Sequence, residues 1–146
     1  KPMSQGTRCR QLAQYVVFES PLNMLCDSPS NYSKETECME FISAVPTVWD
    51  ETRALCGEVG KYIAMARRSG EEWYVGGMTD WNERTLTLDL SFLPQGVYSV
   101  ELYRDGVNAD RRASDYKKEV FDLPLNGLLK VKMAPGGGFA AKIVKK

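Results

Sequence analysis

The sequence predicts a mainly β chain: a C-terminal antiparallel β-sandwich over residues 47–146, preceded by a helix–strand–helix segment over residues 1–46. Three observations carry that reading. Apolar residues recur at helical spacing up to Pro46 and alternate with polar ones after it. The alternating runs follow one another at short intervals, with glycine-containing turns between them. Pro21 and Pro46 punctuate the first part, where neither helix can continue through the missing N–H.

The first helix is expected from Thr7 to Ser20, where Leu12, Tyr15, Val16 and Glu19 fall on one face. Pro21 ends it. Leu22-Asn23-Met24-Leu25-Cys26 is too short for a helix and mostly apolar, so it reads as a buried strand with a leading proline. Asp27–Ser30 is a loop. A second helix follows from Lys34 to Ala44, with Ser33 as N-cap and Glu35 and Glu37 complementing the dipole of its first turn. Cys38, Phe41, Ile42 and Val45 form its inner stripe. A lone strand between two helices has no partners within this segment. Strands flanked by helices belong to sheets covered on both faces, so residues 1–46 read as one end of a larger unit.

Beyond Pro46 the strands come in series. Tyr62–Arg67 alternates up to Ser69-Gly70, and Trp73–Met78 follows after a tight turn as its hairpin partner. Leucines and polar residues alternate in Thr85–Leu90. Tyr98, Val100 and Leu102 repeat the pattern up to Asp105-Gly106. Phe121 and Leu123 mark another strand, Asn126-Gly127 turns into Leu129, Val131 and Met133, and Pro135–Gly138 leads to Phe139–Val144. Seven or eight antiparallel strands with one buried face each are expected from this pattern.

Composition narrows the chemistry. Lys plus Arg and Asp plus Glu are 19 each, so no net charge draws the chain to nucleic acid or an anionic membrane. No apolar run reaches the ~20 residues of a spanning helix, and no signal peptide is visible. The start at Lys1, without an initiator methionine, reads as a trimmed or mid-chain start. There is no histidine, which removes Ser-His-Asp and Cys-His nucleophile pairs and imidazole metal sites. Cys9, Cys26, Cys38 and Cys56 form no Cys-x-x-Cys pair. They read either as buried free thiols or as including one disulfide, with Cys26–Cys38 as the candidate pair.

Five stretches share a resemblance: Gly6–Ala13, Tyr15–Leu22, Pro46–Thr52, Arg104–Arg111 and Met133–Phe139. In this order, and spanning nearly the whole chain, they resemble the C-terminal end of glycoside hydrolase family 97. The resemblance implies a parent with an N-terminal β-sandwich, a catalytic (β/α)8 barrel and a C-terminal all-β domain. Residues 1–46 would then be a helix–strand–helix remnant of the barrel, its last elements, and residues 47–146 the C-terminal domain. It also implies hydrolysis of α-linked glucosides or galactosides by the parent. The catalytic acid, the base or nucleophile and the calcium-holding glutamates would lie upstream of Lys1. No catalytic residue and no metal ligand is therefore assigned here, and no cofactor is expected in this chain; calcium belongs to the parent. The implied partners are the remainder of the parent enzyme and, through it, an α-glycoside, with a homo-oligomer as a further option and no nucleic acid or membrane. The implied location is periplasmic or secreted, in a Gram-negative bacterium.

Four residues are candidates for substrate contact: Asp27, Trp49, Asp50 and Glu51. Asp27 follows the expected barrel strand, and active sites of such barrels lie at the C-terminal ends of strands; its alternative role is an Asx-type turn. Trp49-Asp50-Glu51, in the link between the two parts, joins an aromatic platform to two acceptors, or else plugs the junction. Glu19 reads as an anchor at a helix end. Trp73, Tyr74 and Trp81 suggest either sheet packing or a flat glycan-binding face, and the latter gives the second functional option, a carbohydrate-binding β-sandwich module. Asp105, Asn108 and Asp110 lack EF-hand spacing and read as a turn in which Asn108 takes positive φ. Gly136–Gly138 lacks the strand-to-helix context of a phosphate cradle. The apolar faces of the first two helices need cover, so they are expected to fold back on the sandwich or to join copies of the chain.

Overall fold

A computed structural model describes residues 5–18 and 36–146 of the chain. Among the described residues there are two helices, α1 (Arg8–Val17) and α2 (Thr36–Ala44). Eight strands follow: β1 (Glu51–Glu58), β2 (Tyr62–Ser69), β3 (Glu72–Thr79), β4 (Arg84–Asp89), β5 (Tyr98–Asp105), β6 (Tyr116–Asp122), β7 (Leu128–Met133) and β8 (Gly138–Lys145). The expected strand Leu22–Cys26, the loop at Asp27, Glu19, the Ser33 cap and the Cys26 partner of the Cys26–Cys38 pair lie outside the described residues. Cys9 and Cys56 are free thiols.

The strands form two sheets in the order β1-β2-β3-β8-β5-β6 and β4-β7, with every pairing antiparallel. The two sheets face each other over a core of Leu86, Leu88, Leu129, Val131 and Met133 on one side and Trp73, Val75, Val100, Phe139 and Ile143 on the other. The alternation in the sequence produces this directly. In β4, Leu86 and Leu88 are buried while Thr85 and Thr87 face solvent. In β7, Leu129, Val131 and Met133 are buried while Leu128, Lys130 and Lys132 are exposed.

The larger sheet differs from the one-buried-face expectation. β3 is buried from Trp73 to Gly77 and β8 from Gly138 to Ala141, on both faces. The second cover is helical. Cys9, Leu12 and Val16 of α1 and Cys38 and Phe41 of α2 pack on Tyr74, Tyr103 and Ala140, which point away from the other sheet. The molecule is therefore three layers deep: helices, six strands, two strands. Of the two expected ways to cover the helices, folding back onto the sheet is seen within the chain.

Two local expectations are corrected. Residues 51–58 lack clear alternation yet form β1, so Glu51, expected in the link with Trp49 and Asp50, opens a strand instead. The residues of β1 do not alternate cleanly because its register shifts between Ala54 and Cys56, a bulge on an edge strand that is mostly exposed. Asn108 does not take positive φ, since among the described residues only glycines do. The Gly106–Asp115 loop is instead closed by backbone bonds from Ala109 to Gly106 and from Arg111 and Arg112 to Asn108, and by Asn108 N–H donating to Asp115 Oδ2 at 3.0 Å.

Candidate functional site

The helix-covered face of the six-stranded sheet is where the described chemistry gathers. α1 begins at Thr7, whose side chain accepts the Arg10 N–H at 3.2 Å as a helix cap. The helix settles into a trough of small residues. A Cβ on Gly76 would stand 3.0 Å from Val16 Cβ and 3.1 Å from the Ala13 carbonyl oxygen, and one on Gly138 would stand 2.7 Å from Arg10 Cα. At Gly138 a side chain would force the backbone to shift, and at Gly76 it would press on α1. On this face β3 and β8 supply Gly76, Gly138 and Ala140 where ordinary strands supply bulk, and this close seating is the reason.

Aromatic rings fill the space beside the trough. Phe41 meets Tyr103 edge-on at 5.2 Å and Tyr74 at 6.2 Å, and Trp49 meets Tyr74 at 5.5 Å. The hydroxyls tie the sheet to α2. Tyr103 donates to the Glu37 carbonyl oxygen at 3.1 Å, and Tyr116 to Glu37 Oε2 at 3.0 Å. Tyr74 lies 3.0 Å from the Ala44 carbonyl and 2.9 Å from Glu72 Oε2, sharing its one proton between them. Burial, more than any neighbouring charge, pushes these three phenols well above the usual tyrosine range. They therefore stay protonated and act as donors. Burial likewise pushes the Cys9 thiol up, with Asp105 and Cys38 adding to it, so Cys9 behaves as an apolar core residue.

Each end of α1 is fastened to the sheet. At its end, Arg67 is buried and donates to the Phe18 carbonyl at 3.1 Å and the Val17 carbonyl at 3.3 Å, placing a cation where the helix dipole is negative. At its start, Thr7 N–H donates to the Gly136 carbonyl at 3.1 Å, Arg8 N–H to the Ala113 carbonyl at 2.8 Å, and Arg10 reaches the Thr79 carbonyl. Beneath this start lies Asp105, 4% exposed. Its Oδ2 accepts from Ala134 N–H at 2.9 Å and Gly138 N–H at 3.1 Å, and Thr7 adds a side-chain hydrogen bond. A Cβ on Gly137 would stand 2.0 Å from that oxygen. One carboxylate thus joins β5, the β7–β8 turn and the cap of α1.

Burial pushes the Asp105 carboxyl up, against the pull of its donors. A raised carboxyl favours the folded state below its ordinary value, and that contribution is lost as pH rises through the folded value. Asp105→Asn removes the titration, so the stability lead of the parent sequence over this variant should grow as pH falls from 7 to 4. Glu119 is held low by Arg104, 2.7 Å away, and works in the opposite sense in both proteins, so it cancels in the comparison. Asp105→Ala, which strands its donors, should cost about 3 kcal/mol. Denaturant unfolding at several pH values measures both; a lead that shrinks on acidification would contradict the assignment.

The expected site residues are distributed as follows. Asp27 lies outside the described residues. Trp49 is half-buried against Tyr74, with the Arg67 guanidinium 5.8 Å from its ring centre. Asp50 closes the β2–β3 turn: its N–H donates to the Arg68 carbonyl at 2.8 Å and its Oδ2 accepts from Gly70 N–H at 2.7 Å. Glu51 pairs at the surface with Arg53 Nε at 2.9 Å. The three reach different groups: Trp49 the Tyr74 ring, Asp50 the Gly70 amide, Glu51 the Arg53 guanidinium. Trp73 is core, edge-on to Phe92 at 5.0 Å, whereas Trp81 is exposed. Asp105 and Arg67 were missed because a carboxylate before glycine reads as a turn opener, and an arginine within an alternating run reads as solvent-facing. Among the described residues no group of three or more His, Cys, Asp or Glu could hold a metal ion. A cleft of about 480 Å3 opens beside the start of α1, lined by Arg10, Glu58, Lys61, Tyr62, Thr79 and Asp80 among others.

This architecture has close counterparts. The chain is 60% identical over 143 residues to a retaining alpha-galactosidase of Bacteroides thetaiotaomicron, covering 98% of this chain and 22% of that protein. It is 30% identical over 131 residues to a probable retaining alpha-galactosidase of Streptomyces bingchenggensis, covering 90% and 20% respectively. The chain thus spans about a fifth of the length of these relatives. A glycoside hydrolase family 97 enzyme from Pseudoalteromonas sp. strain K8, solved with acarbose, superposes with a TM-score of 0.91 at 36% identity over 97% of this chain and 23% of that one. A beta-arabinopyranosidase superposes at 0.78 with 31% identity over 94% and 21%. A family model described as "Glycosyl-hydrolase 97 C-terminal, oligomerisation" matches residues 48–144. The chain belongs to glycoside hydrolase family 97 and carries that family's C-terminal, mainly β region.

Proposed function

We propose that this chain is the closing segment of a longer retaining α-galactosidase, in which it completes the catalytic barrel and supports assembly into an oligomer, without supplying catalytic carboxylates. The observation that carries this reading is the likeness over both parts of the chain, helices as well as sandwich, to a retaining alpha-galactosidase more than four times as long. In this reading residues 1–46 are the last helix–strand–helix elements of a (β/α)8 barrel. The buried contact of α1 and α2 with the six-stranded sheet is then the joint between barrel and C-terminal domain. The joint is rigid by construction, with rings, small-residue seating and both helix ends fastened.

The chemistry belongs upstream. A retaining glycosidase works with two carboxyl groups about 5–5.5 Å apart, one as nucleophile and one as acid–base. Calcium, if the parent holds it, is bound there too, and no step is derived through it from the residues of this chain. Asp27, at the end of the expected barrel strand, is the residue here proposed to reach toward substrate; Trp49, Asp50 and Glu51 would act at the joint. Location in the periplasm or outside a Gram-negative cell is part of the same proposal.

The test removes residues 48–146 from the longer enzyme. Sedimentation should show loss of the oligomer, and hydrolysis of p-nitrophenyl α-galactoside should fall by more than about tenfold as the barrel loses its outer support. A shortened enzyme with the same assembly state and full activity would contradict the reading.

A further inference from the structure

One end of the sandwich carries a largely exposed aromatic ring. Of the three tryptophans, Trp73 is 5% exposed, Trp49 is half-buried and Trp81 is 65% exposed. A single exposed apolar residue is ordinary; three features set this one apart. First, the indole is supported from below. Gly136 lies under it with φ +64, and a Cβ there would stand 2.4 Å from Trp81 Cζ3. Second, the loop that carries it is fixed. Gly136 N–H donates to the Asp80 carbonyl at 2.7 Å, Thr79 N–H to the Gly137 carbonyl at 3.0 Å, and Asn82 N–H to Asp80 Oδ1 at 3.0 Å. A ring held in place loses little freedom when a ligand lies on it. Third, its surroundings are hydrogen-bonding groups of both signs. Asp80 and Asn82 flank it in sequence, and Asp80 also lines the cleft of about 480 Å3 with Arg10, Glu58, Lys61 and Tyr62. The charges around the cleft are balanced and largely paired with the protein itself, Lys61 with Glu58 at 2.9 Å and Arg10 with the Thr79 carbonyl, so the cleft presents no net charge and suits a neutral ligand better than an ion.

We infer that this end of the sandwich is a glycan contact: Trp81 stacks on a pyranose ring, and Asp80, Asn82 and the adjoining cleft bond its hydroxyls. The ligand class is an α-linked oligosaccharide. Its identity and the purpose of the contact rest on the proposed function, through one geometric link. The start of α1 is fastened to this same end through Gly136 and Thr79. Helices of a (β/α)8 barrel begin on the face where the strands end and where active sites lie. If α1 is a barrel helix, Trp81 stands on the catalytic side of the enzyme, placed to hold distal sugars of a long substrate while the terminal galactose is cleaved.

The experiment titrates the chain with raffinose, an α-galactoside trisaccharide, and follows indole and backbone N–H signals by NMR. The Trp81 indole and the amides of Asp80, Asn82 and Gly136 should shift with saturation, while the Trp73 indole stays still. Trp81→Ala should weaken binding at least tenfold, and Trp81→Phe should keep part of it. In the longer enzyme the same Trp81→Ala should raise KM for raffinose, leave kcat unchanged and leave p-nitrophenyl α-galactoside hydrolysis untouched. No saturable shift at Trp81, binding that survives Trp81→Ala, or an equal effect on both substrates would each overturn the inference. None of these failures touches assembly or barrel closure, which are read from sedimentation and truncation.

Discussion

Replacing Gly76 by leucine should destabilise the chain by about 3 kcal/mol and loosen α1 from the sheet. The position has an ordinary strand conformation, so backbone strain is not the cause. The cause is space. The first carbon of any side chain there would already stand 3.0 Å from Val16 Cβ and 3.1 Å from the Ala13 carbonyl oxygen. A side chain of four carbons can be housed only by moving the helix. That movement withdraws Leu12 and Val16 from Tyr74 and Ala140, their common cluster. Gly76→Ala, with the one carbon, should cost less. Denaturant unfolding measures the loss, and near-ultraviolet circular dichroism should show the tyrosine environment relaxing. A Gly76→Leu protein within about 0.5 kcal/mol of the parent would mean that the helix is not seated as described.

Much of this fold was legible in the sequence because alternation is a direct physical record of a half-buried strand. β4, β5 and β7 were read from their leucines and valines at every second position, and both sheets' shared core follows from them. β1 was not legible because a bulge at Ala54–Cys56 breaks its period and, at the sheet edge, only Leu55 and Cys56 pack against the core. The helical cover was legible only as a need: Leu12, Val16 and Phe41 required a partner, but periodicity does not name it. The signal that could have named it was the small-residue run in β3 and β8. Gly76, Gly138 and Ala140 lie on the second face of strands buried on both sides, a pattern that makes sense only if something packs closely there. Asp105 shows the opposite difficulty. Its burial is set by three groups far away in sequence, Thr7, Ala134 and Gly138, and no local pattern encodes such a meeting. Among the candidate contacts, the bulk of Trp49 marks it for packing and it lies edge-on to Tyr74, whereas the partners of Asp50, the Gly70 amide and Arg68, lie across a hairpin.

The second large effect concerns the helical segment as a whole. From the sequence alone, the sandwich beginning near Val45 looks able to fold without what precedes it. The buried outer face argues the other way. Without α1 and α2, the sheet would expose Tyr74, Tyr103 and Ala140, now almost fully covered, and would leave Arg67 without the carbonyls of Val17 and Phe18. Each large apolar side chain returned to water forfeits roughly 1.5–3 kcal/mol. Leu12, Val16 and Phe41 with their sheet partners together reach the order of 5–10 kcal/mol, comparable with the whole stability of an ordinary domain. Helices and sheet therefore stand or fall as one cooperative unit, and the joint between the two parts of the chain is its structural centre.

Thermal unfolding of residues 46–146 beside the whole chain tests that claim most directly. The shortened chain should melt at least about 15 °C lower, or show no cooperative transition and bind a hydrophobic dye. A cooperative melt within a few degrees of the whole chain would contradict it, and would make the helices a passenger on a self-sufficient sandwich.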